Sequence, residues 1–537
     1  MPTAQGPIEL ANRLRGEGRF ADAIAVLQSA LAARKNFLEA HFNLAILLQQ
    51  TGNFSGAERE YRAALRLKPT LVEAMQGLAG VLLETGRSEE ALPLLRRVLA
   101  EKGPSALIEY ALGRALGMEN RLEEALTHNQ RARSLNPGAT MAYIHRGELL
   151  EQLGRNEEAI TLYQDILMRE PGNIDAHARL NALLYRLKRD DVFLRSFDAA
   201  TARSVHPAAL LVAKANFLMR ADRAAEAEEC FSRALVLEPK NIAAAMGRAA
   251  ALSGQSNSDA AIHAFEQAIA LQPDDVNVLN GFAATLLQAR EAGRAEKSAK
   301  RALALRPHDQ TALALLGLSW RAQADGRDEQ RNDYRDFVRV YDLEPPKGFA
   351  DTATFHAELQ DELQKLYRDD REHIDQTLRG GTRAATSKLF GAGYRLVEML
   401  RTRIDEALKR YIGEMACGED HPFLARRGRS FTYSGSWSSR LSDCGFHLNH
   451  IHPAGWISSA YYVEVPDRQP ADPAGGHLKF GEPPWDIGLA DPVRRIVEPV
   501  PGRLVLFPSY LWHGTIPFHG PKSRTTIAFD VLPLNYG

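Results

Sequence analysis

Cys444-Gly-Phe-His-Leu-Asn-His-Ile-His-Pro-Ala-Gly-Trp-Ile-Ser-Ser-Ala-Tyr-Tyr-Val463 is the stretch on which the reading of this chain turns. It sets three histidines, His447, His450 and His452, directly before a segment rich in strand formers. His450 and His452 are two residues apart, so on an extended chain both rings point to one face. His447 has the opposite parity and joins them only if the strand is bulged; otherwise it supports or packs. Downstream, Leu504-Val-Leu-Phe-Pro-Ser-Tyr-Leu-Trp-His513 can return another imidazole from a remote strand. Two close ligands and a distant one are how a β-barrel builds an open, three-ligand site for a divalent metal. Histidine is also concentrated here, with seven of the 16 lying between His421 and His519.

Around this stretch the hydropathy pattern alternates with a period of two from Ser430 onward. Strands are expected at 430–441, 457–465, 477–480, 503–507 and 525–532, punctuated by Gly475-Gly476, Pro501-Gly502 and Gly520-Pro521. Ligands on separate strands of such a set suit a double-sheet jelly roll of the cupin sort. Trp456, Trp485 and Trp512 read as core or pocket wall, and His477 after the double glycine is a weaker candidate than the other histidines. Cys444, close to the histidines, reads as a small packed residue.

The N-terminal part is a repeat. Gly18, Gly52, Gly86 and Gly154 mark one position with Asn120 in the missing slot, and Ala23, Ala57, Ala91, Ala125 and Ala159 mark another; the step is 34 residues. Pro69, Pro137 and Pro171 close units, and the period resumes with Ala227, Ala261 and Ala295. Physically this is a helix–turn–helix unit: Gly or Asn accepts the left-handed cap, Ala permits close helix approach, and Pro stops the second helix. The pattern resembles the tetratricopeptide repeat over about residues 8–323. Lys188 and Phe193 occupy the Gly and Ala slots of one unit, which reads as degenerate or as a hinge. Stacked repeats imply a groove for a protein or peptide partner, or alternatively a packing surface.

A further helical pair is expected to run to about Leu343, before Glu344-Pro-Pro-Lys-Gly-Phe breaks the pattern. Residues 353–368 and 392–415 read as amphipathic helices, with Arg379-Gly-Gly-Thr between them as a loop. The expected organisation is therefore multidomain: an all-α repeat superhelix at 1–343, supporting helices at 344–429 and a jelly-roll domain at 430–537. At 537 residues the chain is too long for one core. A net charge of −1 without a Lys/Arg-dense run argues against nucleic acid. Cys230, Cys417 and Cys444 are too few and too scattered for a disulfide framework. No leader or membrane span is visible, so a cytoplasmic location is expected, with self-association left open.

A second resemblance rests on residues already quoted. His450-Ile-His452, Tyr461-Tyr462-Val, Gly475-Gly-His-Leu-Lys-Phe480, Pro501-Gly-Arg-Leu-Val-Leu-Phe-Pro-Ser509, Trp512-His513-Gly-Thr and Arg524-Thr-Thr526 are together similar, in order and spacing, to the 2-oxoglutarate- and Fe(II)-dependent oxygenases. The branch with a His-x-His motif is the nearest in pattern, and the likeness covers roughly 370–537. It implies Fe(II), 2-oxoglutarate and O2, with ascorbate as an added reductant, and hydroxylation of a substrate C–H bond. His450 and His513 would be iron ligands, Arg524 would pair with the distal carboxylate of 2-oxoglutarate, and Tyr462 and Thr526 would help hold it. The chain departs from the family where His452 stands in the slot usually held by Asp. His452 as a neutral third ligand is the favoured reading, with a carboxylate from Asp443 or Asp530, or a site with only two protein ligands, as the alternatives. The resemblance to peptide-binding repeats implies a protein or peptide side chain as substrate. A non-catalytic adaptor and a three-histidine dioxygenase that takes no 2-oxo acid are the alternatives.

Overall fold

The computed structural model describes residues 5–367, 377–384, 388–391, 393–416, 418, 420–428 and 430–534. It consists of two compact units, Met1–Arg169 and Glu170–Gly537. Cys417 and the expected helix ends at 368 and 392 lie outside the described residues.

Among the described residues the first unit holds ten helices, from Gln5–Gly16 to Asn156–Arg169, in the paired order the 34-residue step predicts. Gly18, Gly52, Gly86 and Gly154 all turn in the left-handed region, at φ between 76° and 80°, and Asn120 does so at 57°. Ala23, Ala57, Ala91, Ala125 and Ala159 are fully buried, which is where close helix approach demands the smallest side chain. Facing helices meet over glycine. A Cβ at Gly77 or Gly147 would fall 2.4 Å from the ring of Tyr61 or Tyr163.

In the second unit the same pairs recur from Ile174–Arg186 through Ala292–Leu305, with fully buried Ala227, Ala261 and Ala295. The degenerate repeat keeps its shape at a price in backbone strain. Lys188 takes the glycine conformation at φ 57°, the second helix shortens to Arg195–Arg203, and Leu194 precedes it at φ 68°. Buried Asn181 accepts the Leu194 N–H at 2.7 Å, which holds that turn in place. Helix Gln310–Ala322 is then buried almost all round, because repeats cover one side of it and the β domain the other.

The β domain has nine described strands: β1 Arg339–Asp342, β2 Leu378–Arg383, β3 Ser430–His447, β4 Ile457–Glu464, β5 Leu478–Phe480, β6 Arg495–Val497, β7 Arg503–Pro508, β8 His513–Thr515 and β9 Arg524–Leu534. A six-stranded antiparallel sheet runs β1-β7-β4-β9-β3-β2, and a three-stranded sheet runs β6-β5-β8. This is the double-sheet jelly-roll architecture. Phe480 of β5 packs edge-on against Phe507 of β7 at 5.0 Å, tying the two sheets together.

Two expectations need correction. The helical pair expected to reach Leu343 breaks into short helices at Arg327–Arg331 and Tyr334–Phe337, and the chain then enters β1. Arg339 to Asp342 pair with β7, and Asp342 is gripped by both ends of the Arg503 guanidinium at 2.8 and 3.0 Å. The exposed ladder of β7 recruits this segment, a long-range pairing that overrides local helical period. Arg379-Gly-Gly-Thr is likewise not a loop but part of edge strand β2, bulged between Arg379 and Gly381 against β3. A Cβ at Gly381 would fall 2.4 Å from the Arg440 carbonyl oxygen, so the bulge requires glycine.

Helices Thr352–Gln364 and Arg395–Glu414 form where their apolar spacing predicts them; Leu396, Leu400, Ile404, Leu408 and Tyr411 make one buried stripe. They cover the outer face of the large sheet, where Tyr461 meets His356. The Tyr461 hydroxyl donates to His356 Nε2 at 2.7 Å, and burial holds this imidazole down to about 4 from the ordinary 6.5. The unfolded chain therefore takes up a proton that the folded chain refuses between those values. Stability is undiminished by this group above pH 6.5 and falls progressively to pH 4, by about 3 kcal/mol in all. Denaturant titrations across that window should show a shallower pH slope for His356→Gln than for the native chain. Among the described residues no helix is long and apolar enough to cross a membrane.

Candidate metal centre

The distant histidine arrives by backbone pairing. His450 N–H donates to the His513 carbonyl at 2.9 Å, and His513 N–H returns to the His450 carbonyl at 3.0 Å. The next residue of like parity, His452, is pinned by its own N–H to the Ser509 carbonyl at 2.9 Å. These bonds fix the three Cα positions without using any ring. The rings then converge: one ligand atom each from His450, His452 and His513 lies within 4.8 Å of the others.

Which nitrogen faces inward is decided behind the rings. His450 Nδ1 donates to the Leu448 carbonyl at 2.7 Å and His513 Nδ1 to the Leu511 carbonyl at 2.9 Å. His452 Nδ1 donates to Asp530 at 2.6 Å, and Asp530 also accepts from the Ser458 hydroxyl at 2.6 Å. In the neutral imidazoles each Nε2 is thereby left as a lone pair. His450 Nε2 and His452 Nε2 stand 3.1 Å apart. Two lone pairs at that distance repel unless a proton or a metal cation lies between them. Two nitrogens bound at a right angle on one divalent metal, with bonds of about 2.1 Å, would be about 3.0 Å apart. Burial holds the His450 imidazole down to about 3 and the His513 imidazole well below its ordinary range, so neither carries a competing proton near neutrality. The donor set fits a divalent first-row metal.

The two carboxylates considered as ligands are placed elsewhere. Asp530 lies behind the His452 ring, and its hydrogen-bonded oxygen already serves His452 and Ser458. Asp443 accepts from Gly520 N–H at 3.0 Å and belongs to a separate exposed group with Cys444 and His519. Cys444 is thus exposed rather than packed, at φ 62°. His447 ends β3 with its ring 6.1 Å from His450, outside the convergent trio. Trp456 is core, its indole donating to the Phe423 carbonyl at 3.0 Å, while Trp485 and Trp512 pack edge to face.

On the same inner face lies a buried cation. Arg524, 2% exposed, donates from Nε to the Gly476 carbonyl at 2.9 Å, and its Nη2 lies 3.4 Å from the Tyr462 hydroxyl. No carboxylate of the described residues pairs with it. A guanidinium in that position carries a large desolvation penalty that an incoming carboxylate would offset. Thr526 is two residues along β9 on the same face and pairs with Tyr462 of β4.

Sequence reasoning missed three parts of this arrangement. Asn449, between the histidines, donates to Glu482 at 3.0 Å and to the Pro483 carbonyl at 3.1 Å. A Cβ on Gly514 would fall 2.2 Å from Asn449, which accounts for glycine directly after His513. Beyond them, Arg321 of helix Gln310–Ala322 reaches the carbonyls of Gly481, Asp491 and Pro492, clamping the loop that carries Glu482. None of these pairings leaves a local signature; only the parity of Asp530 with Arg524 is readable from spacing.

Residues 435–530 match the family model described as "Putative 2OG-Fe(II) oxygenase", and residues 7–171, 212–276 and 246–309 match tetratricopeptide-repeat models. The chain therefore carries tetratricopeptide repeats followed by a C-terminal domain of that oxygenase description. No curated protein matches the chain. Similar solved structures include MamA 41-end from Desulfovibrio magneticus RS-1, 23% identical, covering 32% of this chain and 98% of that one at a TM-score of 0.31. YrrB, titled a TPR protein with an unusual peptide-binding site, is 24% identical over 33% of this chain and 91% of that one, at 0.27. The thermophilic TPR protein TTC0263 from Thermus thermophilus is 21% identical over 34% of this chain and 100% of that one, at 0.29.

Proposed function

We propose that this protein is a 2-oxoglutarate- and Fe(II)-dependent hydroxylase acting on a protein or peptide side chain recruited by its repeats. The observation that carries the reading is a buried Arg524, paired with no carboxylate of the described residues, on the same sheet face as three converging imidazoles. His450, His452 and His513 would hold Fe(II), with His452 as a neutral ligand in the slot the family usually fills with Asp. When bound, the metal supplies O2 activation, so that 2-oxoglutarate, O2 and R–H become succinate, CO2 and R–OH.

The chain's own residues do the positioning. Asp530 and the Leu448 and Leu511 carbonyls hold the Nδ1 protons and aim the three Nε2 atoms inward. Arg524 receives the distal carboxylate in a two-pronged pair, Tyr462 steadies the guanidinium, and Thr526 offers a hydroxyl beside them. The repeats raise the local concentration of the target residue at the metal. Resemblance to the tetratricopeptide repeat supports a peptide-binding role for the array.

Purified protein supplied with Fe(II), O2, ascorbate, 2-oxoglutarate and a peptide pool is expected to release succinate and to add about 16 Da to a peptide, as read by mass spectrometry. No succinate above an Arg524→Met control would sink the enzymatic reading. Succinate-free oxidation of a substrate would instead favour a three-histidine dioxygenase that uses no 2-oxo acid.

A further inference from the structure

A second guanidinium shares this inner face. Sheet register sets Tyr462 of β4 opposite Thr526 of β9, Thr526 opposite Ser439 of β3, and Ser439 opposite Arg383 of β2. Those four residues form one rung across the sheet, so Arg383 points to the side that Arg524 and Thr526 occupy. Its position is fixed by a ring stack: the guanidinium lies 4.6 Å from the centre of Trp437, and Trp437 lies against His452 at 5.6 Å with 30° between planes. Arg383 is therefore one indole away from a candidate metal ligand.

This arginine is half-buried, yet it has no hydrogen bond and no ion pair with the described residues. The acidic group that faces it is Asp530, whose hydrogen-bonded oxygen is held by His452 and Ser458. An exposed arginine without a partner is ordinary. One whose guanidinium sits 4.6 Å from an indole centre on the face of a proposed active site, with no hydrogen bond to the described residues, is a receptor for a planar anion.

Charge balance points the same way and rests on the hydroxylase reading above. A divalent cation and two guanidinium groups bring four positive charges; Asp530 and the dianionic cosubstrate remove three. Metal-bound imidazoles are neutral, so three histidines leave the pocket one unit more positive than a site with a carboxylate ligand would be. A target bearing one negative charge completes the balance.

We infer that the residue hydroxylated is acidic, an aspartate or glutamate side chain in a peptide, with its carboxylate received by Arg383 over Trp437. The interaction is a binding contact distinct from that of the cosubstrate.

Binding to the full-length protein loaded with Mn(II) and saturated with 2-oxoglutarate provides the test without turnover. The probes are fluorescent peptides with a central Asp or Glu, matched peptides with Asn or Gln, and free N-acetylaspartate. Acidic peptides should bind about tenfold more tightly than their amide counterparts, a preference that Arg383→Met abolishes and Arg383→Lys partly retains. The affinity for 2-oxoglutarate should be the same in both variants as in the native chain. Equal binding of acid and amide peptides overturns the inference. So does a large loss of 2-oxoglutarate affinity in Arg383→Met, which would assign the group to the cosubstrate. Binding of N-acetylaspartate as tight as that of the peptides would replace the peptide target by a free acid and overturn it too. If the native chain takes up no 2-oxoglutarate at all, it is the hydroxylase reading that fails, a result separable from any peptide preference.

Discussion

Arg524→Met is expected to raise the melting temperature of the metal-free protein while weakening 2-oxoglutarate binding about 100-fold or more. The opposite signs follow from one fact. Arg524 is 2% exposed, and its described partners, the Gly476 carbonyl and the Tyr462 hydroxyl, are neutral. Without an anion, the folded state carries a desolvated charge that no carboxylate of the described residues balances, and an unbranched apolar side chain of similar length removes that burden. With 2-oxoglutarate present, the same guanidinium would supply a charge-assisted, two-pronged contact in a dry site, which methionine could not replace. Thermal melts with and without 2-oxoglutarate separate the two effects: the variant should melt higher than the native chain alone, and should gain nothing from the ligand. A fall in melting temperature for the variant would mean that Arg524 is a structural cation.

The second large effect concerns the metal. His513→Ala should cost about 3 kcal/mol of metal affinity or more, roughly 100-fold, because one of three converging nitrogens is lost. The backbone should keep its register, since the exchange between His450 and His513 uses main-chain groups alone. Asp530→Asn is the milder partner in the series. It leaves all three nitrogens in place but weakens the bond that aims His452, and about a 10- to 100-fold loss is expected. Calorimetric titration with Mn(II) would rank native, Asp530→Asn and His513→Ala in that order. If Asp530→Asn proved as damaging as His513→Ala, Asp530 would be a ligand rather than the support behind one.

Much of this arrangement could be read from residue spacing. Glycine every 34 residues announces the left-handed turn, and the same conformation at Asn120 and Lys188 shows that the repeat geometry, not the residue, is what persists. Parity placed His450 with His452 and Arg524 with Thr526, because a period of two holds along any stretch of strand that carries no bulge. What spacing could not reveal was who stands behind each group. Asp530 is 78 residues from His452, and its place at the far side of the ring depends on β9 returning beside β4. Arg383 was hidden by Arg379-Gly-Gly-Thr, where two glycines that look like a turn instead make a bulged edge strand. Tyr341 and its neighbours have helix-compatible spacing, and only the open ladder of β7 makes them a strand.

Helix Gln310–Ala322 has apolar contacts on nearly every side, and its Arg321 holds three loop carbonyls of the β domain. Modules that meet in this way cannot be exchanged like beads on a string. A gene fragment cut at the proline pair 345–346 would leave behind both the clamp and β1, baring the rim of β7 to any passing strand. Shuffling of this C-terminal half among other proteins would have to carry its last repeat along.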